Sequence, residues 1–175
     1  MLLRIVLILG VAIVAVLVFA ATKPDRIHIS RSAVIKAPPD KIFDLIHDFH
    51  NWPQWAPQDN EDRTMVRTYS GSTSGAGAIS DWDSKGDAGK GRMAITEAIA
   101  PRKISVKVDF VKPFEAHNLN QFTLEPAGDA TKLTWDMDGT NVYMMKVMSL
   151  FVDMDRMMGK HFETGLAKIR EIAKK

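Results

Sequence analysis

Asp44, His47, Asp48 and His50 form the densest cluster of side chains able to ligate a metal or move a proton. On a helix, Asp44 shares a face with His47 or Asp48, while His50 turns away. Ile42, Phe43, Leu45, Ile46 and Phe49 already claim the inner side of that helix, so the expectation is a solvated helix end and no metal site. His28, His117 and His161 each stand without a second imidazole nearby in sequence. No serine occupies a Gly-x-Ser-x-Gly context. The absence of cysteine removes disulfides, thiol catalysis and thiolate metal sites together. Gly75-Ala76-Gly77 and Gly89-Lys90-Gly91-Arg92-Met93-Ala94 loosely match dinucleotide-binding loops. Each lies between strand-like segments rather than between a parallel strand and a helix, so both are expected to be hairpin turns.

The segments that must position these residues alternate in a definite order. Ile27, Ile29, Arg31, Ala33 and Ile35 read as a first strand. Pro38-Pro39-Asp40 opens a helix, since proline suits its first turn and an acid there favours the dipole. Asn51-Trp52-Pro53-Gln54-Trp55-Ala56-Pro57 ends that helix, because two prolines cannot continue it. An acidic loop (Asp59, Glu61, Asp62) follows. Period-two strands are then expected over 64–69, 78–82, 92–99 and 104–110, and around Phe122–Leu124 and Leu133–Met137. Short turns between them imply an antiparallel meander. From about Val142 the period returns to 3.6, with Met154, Met158, Phe162, Leu166, Ile169 and Ala173 in one stripe and Lys168, Arg170, Lys174 and Lys175 near its end. Gly159 and Gly165 within that helix suggest close approach to the sheet or to a ligand. An α+β fold follows, in which a curved antiparallel sheet of about six to seven strands wraps around a long C-terminal helix.

Ahead of this domain, Ile5–Ala21 is a run of 17 residues without charge. At about 1.5 Å per residue it spans roughly 25 Å, and Leu2 and Leu3 bring it close to the ~30 Å hydrocarbon core. Twelve of the 17 are Val, Ile, Leu or Phe, which favours insertion by roughly 4–7 kcal/mol before costs. A cleaved signal peptide is the competing reading, with Val18-Phe19-Ala20 as the cleavage site. The run exceeds the usual 7–15-residue apolar region of such peptides, which favours an uncleaved transmembrane anchor over residues 2–21, a linker over 22–26 and one domain over 27–175. Lys23, Arg26, Arg31 and Lys36 lean towards a cytoplasmic domain, but the N-terminal overhang is too short to fix the side. Without Arg4, 22 of the 23 basic residues face 21 acidic ones, a balance that argues against nucleic acid.

The matching pieces of a known family are Ile35-Lys36-Ala37-Pro38-Pro39, Asn51-Trp52-Pro53-Gln54-Trp55-Ala56-Pro57, Tyr69-Ser70-Gly71, Gly75-Ala76-Gly77-Ala78 with Trp82, and Gly89-Lys90-Gly91. Thr131-Lys132-Leu133-Thr134-Trp135 and Gly159-Lys160-His161-Phe162-Glu163-Thr164-Gly165-Leu166 complete them. In this order the chain from Ile27 to about Ile172 resembles the START-like helix-grip superfamily (SRPBCC), in particular its polyketide cyclase/dehydrase-like branch. The resemblance implies a helix-grip fold with a cavity for hydrophobic ligands between sheet and C-terminal helix. It implies no fixed catalytic signature, no metal and no cofactor.

Trp82, Phe110, Phe122 and Trp135 alternate with polar neighbours and point inward. With Met93, Val108, Met137, Met158 and Phe162 they are the expected cavity residues. Trp52 and Trp55 either staple the short helices onto the domain or join Tyr69, Met145 and Met148 at the cavity mouth. Arg67, Tyr69, Glu97 and Asn120 are the polar candidates for orienting a ligand headgroup. Met144, Met145, Met148, Met154, Met157 and Met158 read either as a pliable core layer or as an adaptable gate facing the membrane. The leading functional expectation is a membrane-tethered domain that binds a lipid, isoprenoid, quinone or aromatic molecule without catalysis. The alternatives are an aromatase/cyclase- or dehydratase-type enzyme using the same cavity and a structural module with a filled interior.

Overall fold

The computed structural model describes residues 1–62, 64–86 and 88–174. Lys175, counted above with the last basic residues, and the Glu61 side chain lie outside them. The apolar run forms α1 (Leu2–Ala21), a helix long and apolar enough to cross a membrane. β1 (Arg26–Ile35) begins the domain, and α2 (Pro39–Ile46), a 3-10 turn (Phe49–Gln54) and α3 (Pro57–Glu61) follow it. Pro39 and Pro57 each sit in the first turn of their helix, where a missing N–H costs nothing.

The meander is β2 (Val66–Gly71), β3 (Ala78–Asp83), β4 (Lys90–Ile99), β5 (Lys103–Lys112), β6 (Ala116–Ala127) and β7 (Ala130–Thr140). All neighbours are antiparallel, in the order β1-β7-β6-β5-β4-β3-β2, so β1 returns to cover the edge left by β7. The sheet has seven strands, and both glycine-rich stretches are connections between antiparallel strands, with Gly75, Gly77 and Gly89 at positive φ. This is the helix-grip arrangement of the sequence reading.

The helical pattern from Val142 divides in two: α4 (Tyr143–Met148) and α5 (Met154–Ala173). The break falls at Asp153, whose carboxylate accepts the backbone N–H of Arg156 and so caps α5. α5 crosses the sheet against β1 and buries Met154, Phe162, Leu166, Ile169 and Ala173. Its two internal glycines are points of close approach. A Cβ on Gly165 would stand 3.0 Å from the Trp135 ring, and one on Gly159 would stand 2.0 Å from the Arg31 guanidinium.

α1 is not on a loose tether. Asn141 donates to the Pro24 carbonyl (2.9 Å) from its side chain and to the Asp25 carbonyl (2.8 Å) from its backbone, which ties the linker to the end of β7.

Candidate ligand-binding site

A cavity of about 220 Å3 lies between the sheet and the N-terminal half of α5. Inward-facing positions follow the strand period: Trp82 on β3, Met93 on β4, Val108 and Phe110 on β5, and Trp135 and Met137 on β7. Met158 and Phe162, one turn apart on α5, cover it from the other side. Phe162 stacks flat on Trp135, with ring centroids 4.2 Å apart. These eight residues are brought together. Phe122 is fully buried behind the wall, in contact with Trp135 at 4.9 Å between centroids, and does not reach the open space.

The wall also holds polar groups. Arg67 on β2 donates from Nη2 to Asp59 Oδ2 (2.8 Å) and from Nε to Oδ1, and its Nη1 donates to Ser80 Oγ (3.0 Å). Both ends of this two-bond pair are more than nine-tenths buried, with side-chain exposures of 8% and 7%. Geometry of this kind is what a buried ion pair requires, because each charge has lost its water. Asn120 accepts the Trp135 indole N–H at 3.0 Å. His161 Nε2 meets Gln58 Oε1 at 3.0 Å, and Asn118 is a further polar lining residue. Among the described residues no buried side-chain nitrogen or oxygen lacks a hydrogen-bond partner. The cavity therefore offers a mainly apolar wall with a few polar groups set into it, suited to a hydrophobic molecule carrying a carbonyl or hydroxyl group.

The residues expected at the mouth separate. Trp52 lines the cavity and its indole N–H donates to the Ile46 carbonyl (2.9 Å). Trp55 donates likewise to Leu45 (2.8 Å) but is fully buried away from the cavity, so both rings fasten α2 to the turn that follows it. Tyr69 packs at a tilt against His50 (ring centroids 4.2 Å apart) at the domain surface, and its partial burial pushes the phenol above its usual range. Met145 and Met148 belong to α4, which packs beside α1 rather than over the cavity. Of the polar candidates, Arg67 and Asn120 line the cavity, whereas Glu97 pairs with Lys103 (2.6 Å) elsewhere.

The Asp/His cluster makes local contacts. Asp48 Oδ1 accepts the backbone N–H of His50 (2.9 Å) and lies 2.7 Å from its ring Nδ1. Burial pushes the Asp48 carboxyl up, but these bonds outweigh it and hold the group below the usual range. Among the described residues no three His, Cys, Asp or Glu side chains converge as a metal site would require.

Sequence reasoning missed Asp59, Gln58, Met65, Ala88, Asn118 and His161 as lining or lining-partner residues. Two carried a usable signal: Asn118 shares the strand parity of Asn120 and Phe122, and His161 follows Met158 by three positions on the helix. Asp59 and Gln58 sit on a five-residue helix with no periodicity to read.

The cavity occupies a defined end of the sheet. One cross-strand row runs through Ile27, Gly139, Asn118, Val108 and Met93, and Ile27 is one residue in from Arg26, where the chain arrives from α1.

No curated protein matches the chain. Solved structures share its fold at low identity. The protein CV1439 from Chromobacterium violaceum has a TM-score of 0.60 at 14% identity over 87% of this chain and 99% of its own. A protein from Rhizobium leguminosarum has a TM-score of 0.62 at 12% identity, covering 85% and 95%. The di-domain ARO/CYC BexL of the BE-7585A biosynthetic pathway has a TM-score of 0.64 at 9% identity, covering 90% of this chain and 53% of that one. Residues 26–174 match the model of the family described as polyketide cyclase / dehydrase and lipid transport, and the chain belongs to that family.

Proposed function

We propose that this protein is a membrane-tethered binding domain for a hydrophobic small molecule, held between the sheet and the N-terminal half of α5. The observation that carries this reading is the cavity itself, walled by Trp52, Trp82, Trp135, Phe110 and Phe162 with a few polar groups among them. Its volume of about 220 Å3 exceeds the ~150 Å3 that accommodates benzene but is below the roughly 300–1,000 Å3 of larger ligand pockets. A ring system or a segment of isoprenoid or acyl chain suits that size better than a whole phospholipid. Met65, Met93, Met137 and Met158 give the wall adaptable side chains that can re-pack around related ligands. Anchoring by α1 supports the reading, because it raises the effective concentration of membrane-dissolved ligand at the domain without any added contact.

The test is native mass spectrometry of the full chain extracted in mild detergent, beside a Val108→Phe variant that fills the cavity. A small-molecule adduct present in the parent and lost in the variant is the expected result. A parent chain that is empty in repeated preparations, and that takes up no quinone, isoprenoid or aromatic probe, overturns the reading.

A second reading is an aromatase/cyclase-type enzyme, and His161 favours it as an imidazole on the cavity wall. His161→Gln separates the two: an enzyme loses turnover while retaining bound ligand, whereas a carrier shows no turnover to lose.

A further inference from the structure

α4 is built inside out for a helix in water. Its charged residue, Lys146, is buried, whereas Met144 and Met148, four positions apart on one face, are exposed. The chain beyond continues the pattern, with Phe151 74% exposed and Val152 beside it also exposed. A buried charge and a run of exposed apolar side chains close in sequence are the two departures from ordinary surface composition that call for a physical cause.

The cause lies in what α4 packs against. The Tyr143 hydroxyl donates to the Leu17 carbonyl at 2.8 Å, and Ala20 of α1 is fully buried. Leu17 lies four residues from the end of α1, about 6 Å at 1.5 Å rise per residue. A helix held at that level beside a membrane-spanning segment is itself at the boundary between headgroups and acyl chains, the depth at which Tyr is enriched. Lys146 Nζ is neutralised there by a hydrogen-bonded pair with Asp25, whose carboxyl this bond holds below the usual range. Lys23 lies over the Phe19 ring at 5.3 Å, again at the last turn of α1.

We infer that α4 and residues 149–152 form an in-plane interfacial element, inserted at the headgroup–acyl boundary of the bilayer that α1 spans. The occupant of the exposed face of Met144, Met148, Phe151 and Val152 is lipid. The inference rests on the anchor reading of α1. It adds that the domain is seated on the membrane by a second contact, with the cavity end of the sheet facing the bilayer. Apolar ligand then enters from lipid without crossing bulk water, and the short path 149–153 between α4 and α5 carries the membrane contact to the helix that covers the cavity.

The chain has no cysteine, so single-cysteine variants of the full protein report one position each. Leu9→Cys, Met148→Cys, Phe151→Cys and Val34→Cys are nitroxide-labelled and reconstituted in phosphatidylcholine/phosphatidylglycerol vesicles, and collision with oxygen and with a water-soluble nickel chelate is measured. Labels at 9, 148 and 151 should favour oxygen, with 148 and 151 shallower than 9, while the label on exposed Val34 favours the nickel reagent. Labels at 148 and 151 that favour nickel while 9 favours oxygen overturn the interfacial element and leave the anchor standing. Labels at 148 and 151 shielded from both reagents show a protein on the patch and overturn the lipid assignment. A label at 9 that favours nickel overturns the anchor and this inference together.

Discussion

The two halves of the groove beneath α5 are built on different principles. Under the C-terminal half, Leu166, Ile169 and Ala173 share a solid core with Ile35, Ile42, Ile46, Ile104 and Leu133. Under the N-terminal half, Met158, His161 and Phe162 roof a space walled by rings. Branched aliphatic side chains interlock and leave no gap. Large flat rings do the opposite when their polar edges are tied back. Trp52, Trp82 and Trp135 each donate an indole N–H, to Ile46, Ala88 and Asn120, so none of them is free to swing in and fill the space. The hollow half is held open by hydrogen bonds, and the filled half is held shut by shape.

The largest effect should come from truncation on the filled side. Ile169→Ala removes a fully buried side chain, with an expected loss of about 2–5 kcal/mol, measured by guanidinium unfolding of the detergent-solubilised chain through its tryptophan fluorescence. Met158→Ala, on the same helix but already beside open space and only partly buried, should cost less. Equal losses would mean that the two halves are packed alike.

A sharper version adds volume instead of removing it. Val106 and Val108 lie two residues apart on one face of β5, and both are buried, but only Val108 borders the cavity. Val106→Phe overfills a closed core and should cost about 1–3 kcal/mol. Val108→Phe has somewhere to go, so it should change stability by less than about 1 kcal/mol while removing ligand uptake. The reverse order of stabilities would show that the space is not available to a side chain.

The inward direction of the wall residues was legible in the sequence, because both periodicities report which way a side chain points, but which half is hollow and which filled was not. Trp82, Met93, Val108, Phe110, Trp135, Met137, Met158 and Phe162 were placed inward by parity or helical spacing, and all eight meet at the cavity. Periodicity does not report depth, so Phe122 was indistinguishable from its neighbours although it stands behind the wall. It also fails in short or irregular segments. The buried Asp59 of α3 looked like part of an acidic loop, and nothing local announces that Arg67, eight residues later, folds back onto it. α4 was missed as a separate helix because Met144, Met145 and Met148 continue the apolar count into α5, and only the Asp153 cap divides them.

The smallest effect tests how the roof of the hollow half is fastened. Arg31 on β1 reaches α5 at both Asp155 Oδ2 (2.8 Å) and Glu163 Oε1 (3.0 Å), passing beneath Gly159. The hydrogen bond from Arg31 holds the Asp155 carboxyl below its usual range against the opposing effect of burial. A carboxyl depressed in the folded state contributes stability that is fully present above its unfolded value, about pH 4, and is lost as pH falls through the folded value. Between pH 5 and 3 the parent should therefore lose more in Tm than Arg31→Ala does, and parallel pH profiles would remove the fastening from the account. Gly159 supplies a second handle on the same contact. Alanine in a helix interior is worth about 1 kcal/mol over glycine, but at position 159 its Cβ would displace the guanidinium. Gly159→Ala should thus stabilise the Arg31→Ala chain and give less, or the opposite sign, in the parent. If the two substitutions are additive, Arg31 is not what keeps residue 159 a glycine, and the roof of the cavity is held by α5 packing alone.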